Sequence, residues 1–174
     1  MLKQLRPAIL MIVAVPSFTS MINASRLTTT VNDFVAAINT ARLEAVKLNG
    51  YAQLCSDSTT NNTGDTLGSA CNPQSGVSQS GAVYAWSGAT GATATPVLAP
   101  IAGLTSPVQL SGSIAALRFS GVGIGYLAGG NSSSPYSNTI ATICNTQLKS
   151  NNRVAIMMTG GSIIYTQTST GTCP

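Results

Sequence analysis

A chain of 174 residues is long enough for one domain with a hydrophobic core and too short for two ordinary domains and a linker. Only 7% of it is charged, against about a quarter in a typical soluble domain, and the net charge of +4 is scattered over Lys3, Arg6, Arg26, Arg42, Lys47, Arg118, Lys149 and Arg153 with no dense basic patch. There is no histidine and only four acids, Asp33, Glu44, Asp57 and Asp65, which excludes Ser-His-Asp and Cys-His sites and leaves little from which to build a two-carboxylate one.

Lys3 and Arg6 precede an apolar run over residues 8–15, and no further charge appears until Arg26. Positive charge before an apolar stretch sets an N-in orientation. The run is shorter than the roughly 20 residues that span a bilayer, so it reads as a short anchor or as the core of a signal peptide. Past Pro16, apolar residues recur at Phe18, Met21, Ile22, Leu27, Val31, Phe34, Val35, Ile38, Ala41, Ala45 and Leu48, in steps of three and four that mark one helix face. The periodicity continues across Ala24 and Ser25, which speaks against cleavage there. The helix is expected to run to about Asn49, with Lys47 in its last turn and Gly50 as its left-handed stop. Some 30 residues make a rod of roughly 45 Å, longer than a small domain is wide. Residues 1–25 are therefore expected to project, as an anchor in membrane or filament. Residues 26–49 are expected to pack onto a β-domain of residues 51–174 through Leu27, Val31, Phe34, Val35, Ile38, Ala41, Ala45 and Leu48.

After Gly50 the period changes from 3.6 to 2. Residues 51–55 read as a strand, followed by a loop over residues 56–80 rich in Ser, Thr, Asn and Gly. Asp57, Asn61, Asn62 and Asp65 give that loop oxygen ligands but not calcium-loop spacing, so it is expected to be solvated. Further strands are expected at residues 82–86, 114–119 and 139–144, with room for a short one between 88 and 107. Two β-rich runs, residues 153–159 and 162–167, flank Gly160 and Gly161 as a tight hairpin that would set Met158 opposite Ile163 and Ile156 opposite Tyr165. The four cysteines, Cys55, Cys71, Cys144 and Cys173, show no CxxC spacing and read as disulfides of a periplasmic or extracellular domain. Three pairings are open. The one joining neighbours along the chain, Cys55 with Cys71 and Cys144 with Cys173, is the expected one. The fold class is thus α+β: a long N-terminal helix on a disulfide-stapled, antiparallel β-domain.

Specific residues carry a family resemblance. Val15-Pro16-Ser17-Phe18, then Arg26-Leu27, then Ala41-Arg42-Leu43-Glu44-Ala45-Val46-Lys47, then Leu54-Cys55 resemble the minor pilins FimT and FimU and the type II secretion pseudopilin H. Those proteins read AVPSF, RL, ARSEAIKR and a strand ending in Cys. Leu117 to Gly123 resembles their F-x-x-x-G strand, and Ile143-Cys144 with Arg153-Val-Ala-Ile156 and a glycine turn resembles their closing hairpin. The family's Gly-Phe-Thr-Leu-Ile-Glu processing signature does not follow Met1, and aligning Pro16 with the helix proline places it before Met1. The resemblance implies a non-enzymatic subunit of a type IV pilus or type II secretion pseudopilus. Its partners would be other pilin subunits, and it would be held single-pass and N-in in a bacterial inner membrane with the β-domain outside the cytoplasm.

No cofactor, metal or small-molecule substrate is expected. Two alternatives stand beside the structural subunit. A DNA-uptake pilin would use Arg118, Lys149 and Arg153, but Gly161-Ser162-Ile163-Ile164 stands where DNA-binding relatives resemble Gly-Arg-x-Arg, so nucleic acid is not an expected partner. A secreted β-domain would begin near Ser25 after cleavage.

Overall fold

The computed structural model describes residues 5–55, 82–90, 92–99, 101–112, 116–128 and 134–173, with side chains from Phe18 onward except that of Cys55. Helix α1 (Leu5–Lys47) is followed by β1 (Tyr51–Cys55), β2 (Ala82–Trp86), β3 (Thr95–Leu98), β4 (Val108–Gly112), β5 (Leu117–Ser120), β6 (Gly125–Leu127), β7 (Asn138–Asn145), β8 (Arg153–Thr159) and β9 (Ile163–Ser169). The strands form two antiparallel sheets, β3-β2-β1-β5-β6 and β4-β7-β8-β9. The molecule is α+β, one helix packed on two sheets.

Helix α1 is 43 residues long, about 65 Å at 1.5 Å per residue, and it runs through Pro16, which withholds one helical hydrogen bond. Its segment Leu27-Thr28-Thr29-Thr30-Val31 is a poor helix former because β-branched side chains lose rotamer freedom against the preceding turn. Packing holds it helical. Leu27, Val31, Phe34, Ile38, Ala41 and Ala45 are all buried, in steps of four and three, against Leu54, Val83, Phe119, Ile140, Ile143 and Ile156 from both sheets. The Thr28, Thr30 and Thr40 hydroxyls turn back to the carbonyls of Ala24, Arg26 and Ala36 at 2.9–3.0 Å, so they add no unpaired donor.

The helix ends in a Schellman cap, in which the Gly50 amide donates to Ala45 O (3.0 Å) and the Asn49 amide to Val46 O (3.1 Å). The left-handed residue is Asn49, at φ 43°, and not the expected Gly50. Asn tolerates that region because its short polar side chain can bond locally. Gly50 is required for a different reason: a Cβ there would sit 2.4 Å from the Trp86 carbonyl oxygen.

The structure corrects the expected strands in three places. The strand placed at residues 114–119 is β5, at Leu117–Ser120, and residues 113–115 lie outside the described residues. Strands β4 and β6 have no counterpart among the expected strands: Val108–Gly112 and Gly125–Leu127 are short and set among glycine and serine, so as sequence they read as connections. The expected β8–β9 register is one residue out, because Met158 pairs with Ile164, Ile156 with Thr166, and Thr159 with Ile163. Gly160 and Gly161, both at positive φ, do make the turn, closed by the Ser162 amide on Thr159 O. Ser162 is an extra residue beyond it. Its carbonyl accepts from Arg42 Nη2, while Gly161 bonds through its amide to Tyr136 O and through its carbonyl to Gly125 N, so tertiary partners hold these groups out of the ladder.

Candidate functional site

The surface most unlike that of an ordinary monomer is the helix ahead of the sheets. Phe18, Met21 and Ile22 are 64, 68 and 53% exposed, three large apolar side chains within five residues. Between Phe18 and Arg26 the helix carries no charge. Among the described side chains the first buried one is Asn23, two residues before the division expected at Ser25. At this point the helix is tied to the second sheet. Buried Asn145, at the end of β7, donates Nδ2–H to Asn23 O (3.1 Å) and accepts the Gln147 amide on Oδ1 (2.9 Å). An open cleft of about 460 Å³ lies beside the tie, between Thr19, Ser20 and Asn23 and the loop of Gln147, Leu148, Lys149 and Ser150. Among the described residues no helix is long and apolar enough to cross a membrane.

Farther along α1, Arg42 lays its guanidinium over Phe119 (5.3 Å to the ring centroid), and its buried Nε has no hydrogen-bond partner. Desolvation lowers its pKa, although a guanidinium remains protonated at any working pH. Glu44 and Lys47 form an exposed i,i+3 ion pair at 3.2 Å, worth at most a few tenths of a kcal/mol.

The three candidate nucleic-acid contacts come from different sheets. Arg118, on β5, donates from Nε and Nη2 to Gln53 Oε1 (3.0 and 2.9 Å) and stacks over Trp86 at 5.2 Å. Burial pushes its pKa down, partly offset by Tyr51. Lys149 and Arg153 belong to the other sheet, Lys149 exposed in the β7–β8 loop and Arg153 half-buried with an unpartnered Nε. Tyr84 is buried in a second small core with Ala82, Ala116 and Ala128, and Trp86 packs beside Tyr51 at 5.9 Å.

Of the remaining site residues, Leu27, Val31, Phe34, Ile38, Ala41 and Ala45 are buried on the sheets and Val35 is partly buried. Leu48 is 39% exposed; it falls in the cap after Lys47, where the chain has left the helical face, and so does not pack as expected. Cys144 is bonded to Cys173. Cys71, the expected partner of Cys55, lies outside the described residues, as do Asp57, Asn61, Asn62 and Asp65 of the oxygen-rich loop. Among the described residues no three His, Cys, Asp or Glu side chains come together as metal ligands. Sequence reasoning gave no role to Arg42, Asn23 or Asn145. Asn23 carried a signal, a polar residue on the apolar stripe, whereas Asn145 looked like the polar end of any strand.

Compared with family models, curated proteins and solved structures, the chain matches none.

Proposed function

We propose that this protein is a structural subunit of an envelope filament, a minor pilin or pseudopilin of a type IV pilus or type II secretion pseudopilus, and that it acts by assembly rather than catalysis. The observation that carries this reading is the helix that outruns its domain while keeping large apolar side chains exposed. Burying Phe18, Met21 and Ile22 against neighbouring subunits or lipid would contribute about 1.5–3 kcal/mol for each fully covered side chain. The lack of charge between Phe18 and Arg26 supports an apolar environment for that segment, and Lys3 and Arg6 before it support an N-in orientation. A disulfide at Cys144–Cys173 supports an oxidising compartment for the β-domain. Scarce acids and absent histidine support the non-catalytic part of the reading.

The test is incorporation. With the full chain expressed in a host that makes the filament, Met21→Asp should leave the melting temperature of the domain unchanged and remove the protein from sheared filaments. Recovery of Met21→Asp in filaments at the unsubstituted level, or failure of the unsubstituted protein to enter them, would count against the proposal.

A further inference from the structure

Two flanks of α1 differ in shape and charge. On one, Leu43 and Val46 are 67% and 49% exposed, and Val122 in the β5–β6 turn is 78% exposed. These lie together: a Cβ placed on Gly123 would be 3.2 Å from Val46 Cγ2 and 3.6 Å from Arg42 Cγ, so the turn that carries Val122 rests on the helix at those residues. The result is an apolar knob beside a cation. On the other flank an open groove of about 350 Å³ runs between Asp33, Ala36 and Thr40 of α1 and Leu98, Ala99 and Ile101 at the end of β3. It is an apolar hollow beside an acid. Among the described residues Glu44–Lys47 is the only ion pair, so neither Asp33 nor Arg42 has an opposite charge in contact.

We propose that knob and groove are the two halves of a head-to-tail contact between copies of this chain, with Val46 and Val122 of one copy in the groove of the next and the positive charge of Arg42, held over Phe119 and on Ser162 O, brought toward Asp33. The occupant is a second copy because the chain carries both complementary surfaces, opposite in charge and in relief. The groove lies on the β3 side of α1 and the knob on the side of the β5–β6 turn, and β3 and β6 are the two edges of the five-stranded sheet. Two different patches on opposite flanks make a heterologous contact, which closes into a ring or continues as a row according to the rotation between copies. Asp33 and Arg42 are nine residues apart on α1, about 14 Å of rise, so in a row with parallel helices successive copies are staggered along the helix axis by about that distance. The contact deepens the subunit reading by naming the surfaces that meet, and it rests on that reading.

The test uses the full chain with Ala36→Cys or Val122→Cys, both at exposed positions, and a short bis-maleimide. A mixture of the two variants should give covalent dimers, a chain carrying both should give a ladder, and neither variant alone should crosslink. Asp33→Lys should lower the yield from the mixture about tenfold at low salt. Equal crosslinking by one variant alone, no crosslink in the mixture, or a yield indifferent to Asp33→Lys would overturn the proposal. Filament incorporation is scored in parallel. Incorporation without the 36-to-122 crosslink removes this contact and leaves the subunit reading standing, whereas the crosslink without incorporation supports the contact and removes that reading.

Discussion

Tyr136 is a residue through which three turns are fastened, and its chemistry is open to titration. Its amide donates to Gly125 O (2.9 Å), its carbonyl accepts from Gly161 N (2.8 Å), and Gly125 N donates to Gly161 O (2.7 Å), a closed ring of backbone bonds across the two sheets. Its hydroxyl donates to Thr139 O, and desolvation raises the phenol's pKa above the ordinary 10.0. The raised value belongs to the folded state, so the native protein holds the proton more tightly than the unfolded chain. The stabilisation is therefore complete below the unfolded phenol's pKa of about 10 and is lost as pH rises from there through the folded value. Urea titrations at pH 8 and pH 11 should show Tyr136→Phe less stable by about 1 kcal/mol at the lower pH, with the gap to the unsubstituted protein narrowing at the higher. A gap independent of pH would mean that the hydroxyl is not held as described. Arg42 also fastens three pieces, α1, β5 and the β8–β9 turn, but its charge does not change in this range, so its contribution should not follow pH.

The β8–β9 hairpin separates what an element's sequence dictates from what its neighbours impose. Gly160 and Gly161 both stand at positive φ, 59° and 67°, yet their surroundings differ. A Cβ on Gly160 would meet nothing within 4 Å, whereas one on Gly161 would lie 2.7 Å from Gly125 O and 2.8 Å from Ile124 Cγ2. Gly160→Ala should thus cost about 1–2 kcal/mol, the backbone term alone. Gly161→Ala should cost clearly more and disturb the amides of Gly125 and Tyr136; equal losses in thermal melts would contradict the packing described. The turn itself was legible because two adjacent glycines between apolar runs have few other uses. Its register was not, since the carbonyl that displaces Ser162 from the ladder is claimed by Arg42, 120 residues away. The same distinction holds elsewhere. The helix, its buried stripe from Leu27 to Ala45 and its exposed apolar start follow from local periodicity, while β4 and β6 exist only because a neighbouring strand pairs with them. The left-handed cap fell on Asn49 because Gly50 was needed against Trp86, a contact invisible along the chain. The knob and groove likewise draw on segments that sequence order keeps apart, Leu43 and Val46 with Val122, Asp33 with Leu98.

At the scale of the whole molecule, a rod of about 65 Å is fastened to a smaller body along only part of its length, and the place where fastening begins determines how the two parts can be separated. The described side chains put that place at Asn23, whose carbonyl takes the Asn145 side-chain amide in a buried setting, next to the exposed Phe18, Met21 and Ile22. Truncations on either side of Asn23 should therefore behave differently. A chain starting at Ile22 keeps the tie and should melt close to the full-length protein, because the described side chains it removes, Phe18 to Met21, are exposed. A chain starting at Arg26 loses the acceptor for Asn145 and leaves a buried amide unpaired, a cost of about 1–3 kcal/mol. Both lose Phe18 and Met21 and should be absent from filaments. Differential scanning calorimetry of the two truncations, with a filament-incorporation assay beside it, separates the two functions of α1. Equal stability of the two truncations would show that the Asn23–Asn145 tie does not hold the helix to the sheet, and incorporation of either would show that the projecting segment is not what the filament requires.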